Sequence, residues 1–180
     1  MRVSWNTPGD VMRALDAGAY GVICPGVDTV EQCQKFVGAC HYPPAGYRSY
    51  GPKRGLLYGG SDYVLRANKT ILAIAQIESA DGLRNVDDIA AVPGLDMLYV
   101  GPSDLALSLG REARQNQTDP VIMDAIDMIL RAAKGAGKRA GMHCVSADYA
   151  QQMIRRGFDF VTVISDEVLL SRGAAERALL

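Results

Sequence analysis

Two acidic residues stand out by position. Glu78 closes the run Ile71-Leu-Ala-Ile-Ala-Gln-Ile77, and Asp104 follows Met97-Leu-Tyr-Val100 after the short link Gly101-Pro-Ser103. Hard carboxylates with no cysteine and at most one histidine near them suit a cation that prefers oxygen and keeps open positions, Mg²⁺ or Mn²⁺, with Co²⁺ as a further candidate. Two protein ligands leave room for water and a chelating substrate. A 2-oxo acid offers the matching pair, a carboxylate oxygen and a keto oxygen, and a Lewis acid there acidifies the protons beside the keto group and holds the enolate oxygen. Ser103 and Asp104 open a short helix whose free backbone N–H groups point at an anion, such as the substrate carboxylate. An arginine on the same rim would complete an oxyanion site for the developing enolate charge. Taken alone, either acid also suits the start of the helix that follows it. The pair is what points to a metal.

For the pair to work, both residues must reach one rim. The two runs are nearly continuous in apolar residues and too short for independent helices, as in strands covered on both faces of a parallel sheet. Between them, residues 79–91 have helical spacing, with Leu83, Val86, Ile89 and Ala90 on one side and Asp81, Arg84, Asp87 and Asp88 on the other. A right-handed crossover then points both strands the same way and sets both carboxylates at the C-terminal edge of the sheet.

The rest of the chain repeats this alternation. Further strands are expected at residues 2–5, 20–24, 138–143 and 158–164. Helices are expected after Asn6-Thr-Pro-Gly9, from Asp28 or Thr29 through Val37, near 61–67, over 120–135 and 147–156, and from Asp166 onward. Residues 41–70 read mainly as a long loop rich in Tyr, Pro and Gly, of the kind that forms a lid, a binding loop or an oligomer contact. Six consecutive βα units fit an open doubly wound sheet or a barrel. No GxGxxG or GxxxxGK[ST] motif favours the former. Polar residues at many strand ends (Arg2 or Asn6, Asp28, Glu78, Asp104, His143, Ser165) favour the latter. The expectation is one domain over residues 1–180, a (β/α)8 TIM barrel present as about six of eight units, since such barrels run to about 250 residues.

Composition narrows the function classes. The chain of 180 residues is 48% hydrophobic and 22% charged, with a formal net charge of −1. That is a chain with a real core and no basic footprint for nucleic acid. No run approaches the roughly 18 apolar residues of a membrane span. Cys24, Cys33, Cys40 and Cys144 lack CxxC spacing and fall in apolar elements, as buried free thiols in a reducing cytoplasm would.

The segments Arg2-Val-Ser-Trp-Asn6, Leu15-Asp-Ala-Gly-Ala19, Tyr42-Pro-Pro-Ala-Gly46, Gln76-Ile-Glu78 and Gly101-Pro-Ser-Asp-Leu-Ala-Leu-Ser-Leu-Gly110 together resemble the HpcH/HpaI family of metal-dependent class II pyruvate aldolases. The resemblance covers essentially the whole chain. It implies a pyruvate-type barrel that cleaves 4-hydroxy-2-oxo acids, such as 4-hydroxy-2-oxoheptanedioate, to pyruvate and an aldehyde. It implies metal ligation by Glu78 and Asp104, and pyruvate contacts from Gln76 and from Gly101 to Ser103, beside Asp104. Arg2 would stabilise the enolate, and Asp16 would belong to a histidine-aspartate pair. It also implies a cytoplasmic homo-oligomer, commonly a hexamer, with an exchanged C-terminal helix, and a place in aromatic compound catabolism.

In that family two further βα units, carrying the catalytic histidine, precede the arginine that Arg2 matches, whereas only Met1 precedes it here. Neither His41 nor His143 inherits that role. The expectation is a fragment that is inactive or severely impaired on its own, with an exposed sheet edge. Two other readings stand beside the aldolase: a related lyase acting on an acyl-CoA or citrate-like substrate, for which the sequence offers no basic nucleotide pocket, and a non-catalytic barrel remnant serving as an oligomer partner. Arg48, Lys53 and Arg54 read as a solvated loop.

Overall fold

The computed structural model describes residues 1–178 as alternating helices and parallel strands. Five strands, β1 (Gly21–Cys24), β2 (Leu72–Ile77), β3 (Met97–Val100), β4 (Arg139–Met142) and β5 (Phe160–Val161), form one sheet in the order of the chain. All neighbours are parallel, with Cys24 beside Ala75, Ile77 beside Val100, and Val100 beside Met142. The ten helices are α1 (Pro8–Asp16), α2 (Val30–Cys40), α3 (Lys53–Gly59), α4 (Tyr63–Thr70), α5 (Ala80–Arg84), α6 (Val86–Ala90), α7 (Pro102–Ser108), α8 (Pro120–Gly135), α9 (Ala147–Arg156) and α10 (Asp166–Ala178). Strand order that follows the chain, with a helix in every crossover, is the pattern of a curled half-barrel of the TIM type. Among the described residues no helix is long and apolar enough to cross a membrane.

The alternation of side chains along each strand divides the sheet into two faces. Val22, Cys24, Ala73, Ala75, Ile77, Leu98, Val100, Ala140 and Met142 pack against the helices in the main core, with Leu15, Phe36, Ile89, Ile126 and Ile129. Ile74, Met97 and Tyr99, with Ile23 beside them, form a separate cluster on the opposite face. Gln76 and Glu78 share the parity of Ile74, Gly101 that of Tyr99, and Thr162 that of Phe160. Helix starts follow local chemistry. Thr29 and Gln32 form a reciprocal capping box on α2, while Ser79, Asp119 and Ser146 cap α5, α8 and α9. All four cysteines are free and buried, and burial pushes the Cys24 and Cys33 thiols up to about 12.

Four expectations change. Residues 2–5 pair with β1 only through a bridge between Arg2 and Ile23, because the chain turns at once, Thr7 N–H donating to Trp5 O at 2.8 Å. The expected single helix over 79–91 breaks at Asn85, whose side-chain amide donates to Asp28 O at 2.7 Å and fixes a non-helical residue between α5 and α6. The strand expected over 158–164 shortens to Phe160–Val161. The long loop holds, besides the expected helix (α4), a second one, α3, which packs on Tyr63: a Cβ on Gly55 or Gly59 would meet its ring at 2.8 or 2.6 Å.

Candidate active site

The face that carries Ile74 and Tyr99 leads to a cavity of about 500 Å³ at the C-terminal edge of the sheet. Arg2, Gln76, Gly101, Ser103 and Asp104 line it, Gln76 from β2, Gly101, Ser103 and Asp104 from the turn after β3 and the start of α7, and Arg2 from the bridge beside β1. Strand parity delivers Gln76, and α7 begins at Pro102, so the first-turn amides of Ser103 and Asp104 precede the helical bond from Leu105 N–H to Gly101 O at 3.0 Å. Arg2 reaches the same cavity through its bridge to Ile23, and apart from a long 3.5 Å contact with Val3 O its guanidinium is open to the cavity and solvent.

Glu78 stands directly behind Gln76 and Gly101. Its Oε1 accepts the Gly26 amide at 2.8 Å, and its Oε2 accepts a short hydrogen bond from the Gln76 side-chain amide. A Cβ on Gly101 would lie 2.6 Å from both Gln76 Nε2 and Glu78 Oε2, so only glycine lets β3 close over this pair. Burial raises the Glu78 carboxyl above its usual range, and the negative charge of Asp104 adds to the rise, against the pull of the Gly26 and Gln76 amides and of Arg2. Two carboxylates that repel each other, one of them desolvated and each with lone pairs to spare, are a donor set that a hard divalent cation relieves. Among the described residues no group of three or more His, Cys, Asp and Glu gathers, so any such ion would hold two protein carboxylates at most and keep positions open.

Asp16 does not join this group. It ends α1 and precedes β1, which puts it at the N-terminal edge of the sheet, where Arg48 Nη2 donates to its Oδ1 at 2.8 Å. Arg48 is the buried member, its guanidinium 4.5 Å over the Tyr42 ring and hydrogen-bonded to Tyr63 OH at 3.2 Å. Arg48 is therefore not part of a solvated loop, and within this chain Asp16 serves a structural ion pair.

The sequence reading notes His143 only as a polar strand end and does not single out Thr162 or Gln115, and all three line the cavity. His143, one position beyond β4, and Thr162, one beyond β5, meet through Nδ1 and Oγ1 at 2.9 Å. Their shared strand parity is the signal that could have found them. Burial lowers the His143 imidazole below its usual range, which favours the neutral ring.

The HpcH/HpaI aldolase/citrate lyase family matches residues 2–172. A hydroxypyruvate/pyruvate aldolase of Rhizorhabdus wittichii is 41% identical over 176 residues, which is 98% of this chain and 70% of that protein. A 5-keto-4-deoxy-D-glucarate aldolase of Klebsiella pneumoniae is 41% identical over 92% of this chain and 65% of its own length. The crystal structure of an HpcH/HpaI aldolase/citrate lyase family protein from Burkholderia cenocepacia superposes with a TM-score of 0.87 at 36% identity, over 99% of this chain and 70% of that one. The chain thus spans about two thirds of the length of these relatives and shares the fold of the Burkholderia cenocepacia structure over 99% of its own length. On sequence and on structure together, it belongs to the HpcH/HpaI aldolase/citrate lyase family.

Proposed function

We propose that this chain carries the metal and pyruvate half of a divalent-metal-dependent aldolase that cleaves 4-hydroxy-2-oxo acids to pyruvate and an aldehyde. The observation that carries the reading is the packing of Glu78 against Gln76 and Gly101, directly behind a cavity that Asp104, Gln76 and Arg2 line. The aldolase names of the two relatives support it.

In this reading Glu78 and Asp104 hold Mg²⁺ or Mn²⁺, which when bound would polarise the keto group of the substrate. The amides of Ser103 and Asp104 receive the substrate carboxylate, and the Gln76 side chain fixes Glu78 while facing the keto acid. During cleavage the C3–C4 bond breaks, its electron pair moves into the pyruvate enolate, and the C4 hydroxyl hands its proton to water as the aldehyde leaves, the same water returning a proton to C3. Arg2 offers donors to the oxygen on which that charge collects. Protonation at C3 then gives pyruvate.

The test is Mn²⁺ titration by electron paramagnetic resonance, with and without pyruvate. Saturable binding that pyruvate strengthens, and that Glu78→Ala and Asp104→Ala both abolish, supports the reading. A parent chain that binds no Mn²⁺, or variants that bind it equally well, would sink it.

A further inference from the structure

His143 is anchored at one ring nitrogen and free at the other. Its Nδ1 lies 2.9 Å from Thr162 Oγ1, and that hydroxyl is itself held by the Cys144 amide, which donates to it at 3.1 Å, by Cys144 O at 3.3 Å and by the Tyr99 hydroxyl at 3.4 Å. Whichever ring nitrogen carries the proton, Nε2 can hydrogen-bond a hydroxyl, which both donates and accepts, and cannot hydrogen-bond an alkyl group. Among the described residues Nε2 has no hydrogen-bond partner, and it belongs to a side chain that lines the cavity.

The position of His143 says what it would meet. The keto-acid contacts come from Gln76 on β2 and the turn after β3, and the His143 amide donates to Val100 O at 3.2 Å, one strand further along the sheet. One strand spacing is about 4.8 Å, the reach of roughly three bonds from the keto carbon. We propose that His143 is a specificity residue: its Nε2, left free by the contact of Nδ1 with Thr162, hydrogen-bonds a hydroxyl on the part of the 2-oxo acid remote from the keto group, so that the site prefers a hydroxylated substituent to an alkyl one. This rests on the keto-acid reading given above and deepens it by naming the substrate class.

Two measurements on the full chain test it. The chain has only two histidines. His41 Nδ1 faces Val37 O at 2.8 Å, away from the cavity lining, and serves as an internal contrast. Long-range ¹H–¹⁵N spectra of ¹⁵N-histidine protein loaded with Mg²⁺, assigned with His143→Leu, are expected to show the His143 Nε2 signal shift when 5-hydroxy-2-oxopentanoate binds and stay in place when 2-oxohexanoate binds. A signal that ignores the hydroxylated acid overturns the proposal. The second measurement is binding to the Mn²⁺-loaded chain of 5-hydroxy-2-oxopentanoate and 2-oxohexanoate, which are close isosteres. The hydroxylated acid should bind about five- to tenfold more tightly, the worth of one hydrogen bond to a neutral group. His143→Leu should bring the two within about twofold and leave pyruvate affinity unchanged, and Thr162→Val should lower the ratio in the same direction. A general structural role would weaken pyruvate as well, and that result, or a ratio that does not move, overturns the inference while the metal site stands. Failure of the parent chain to bind pyruvate at all overturns the keto-acid reading and this inference with it.

Discussion

The Gly26 amide, in the turn after β1, donates to Glu78 Oε1 at the end of β2, 52 residues away and 2.8 Å distant. Gly26 holds φ at +61°, a conformation that costs an L residue about 1–2 kcal/mol. The glycine therefore does two things, turning the chain and aiming a donor at the buried carboxylate. Gly26→Ala should lower unfolding free energy by about 1 kcal/mol in urea titration. It should also weaken Mn²⁺ binding, by up to about tenfold, to the extent that relaxing the strained turn swings its N–H away from Glu78. Unchanged metal affinity would mean that the turn keeps this amide on Glu78 with alanine in place.

Asp16 and Arg48 are the contrasting pair. The Arg48 side chain is 0% exposed and that of Asp16 28% exposed, at the sheet edge away from the cavity. Asp16→Asn leaves the guanidinium in place without its counter-charge, and removing one partner of a buried pair costs roughly 3–5 kcal/mol. With Asp16 partly solvated, a loss of about 2–3 kcal/mol is expected. Mn²⁺ and pyruvate affinities should stay within about twofold of the parent, because the N-terminal face of such barrels serves stability rather than chemistry. A selective loss of pyruvate binding at unchanged stability would return Asp16 to the site.

How much of this was legible depended on the distance over which each feature is decided. The runs ending at Ile77 and Val100, and the helix over 120–135, are local patterns, and the strands and α8 lie where those patterns put them. The break at Asn85 was not readable, because its cause, the carbonyl of Asp28, lies 57 residues upstream. Arg48 reads as a loop cation until Tyr42, Tyr63 and Asp16 close around it. Glu78 and Asp104 were visible because both sit at ends of unmistakable strands, whereas His143 depended on pairing with Thr162, 19 residues on. The family resemblance supplied Gln76 and Arg2, which composition and spacing alone would not have singled out.

The α8 and α9 helices are joined by Arg156, whose Nε and Nη2 donate to the two carboxylate oxygens of Asp127 at 2.5 Å each. These bonds hold the Asp127 carboxyl below its usual range. A group with a depressed folded-state pKa contributes stability that is present above its unfolded pKa, roughly 3.9, and lost as pH falls through the lower folded value. Asp127→Asn should therefore destabilise the chain at pH 7 by under about 1 kcal/mol, since both side chains are part-exposed and screened, and the difference should shrink progressively as the pH falls below about 4. Thermal unfolding across that range checks it. A gap between variant and parent that is constant with pH would trace the effect to packing.

Gly101 sets the closest approach in the site. A methyl group there would stand 2.6 Å from both Gln76 Nε2 and Glu78 Oε2 and 3.0 Å from Glu78 Cβ. Its backbone, at φ −98°, is ordinary for an alanine, so Gly101→Ala adds no left-handed strain and the conflict is with these side chains alone. The Gln76 amide and the Glu78 carboxylate must move apart, breaking the short bond between them and shifting the carboxylate relative to Asp104. Misplacing one of two ligands by the fraction of an ångström needed to clear the methyl should cost at least tenfold in Mn²⁺ affinity, against ligation lengths of about 2.0–2.6 Å for such ions. Unfolding free energy should fall by about 1–3 kcal/mol, the usual cost of overpacking. If titration instead finds Mn²⁺ bound as tightly by Gly101→Ala as by the parent, the ion does not depend on Glu78, and the two-carboxylate site must be abandoned in favour of one built on Asp104 alone.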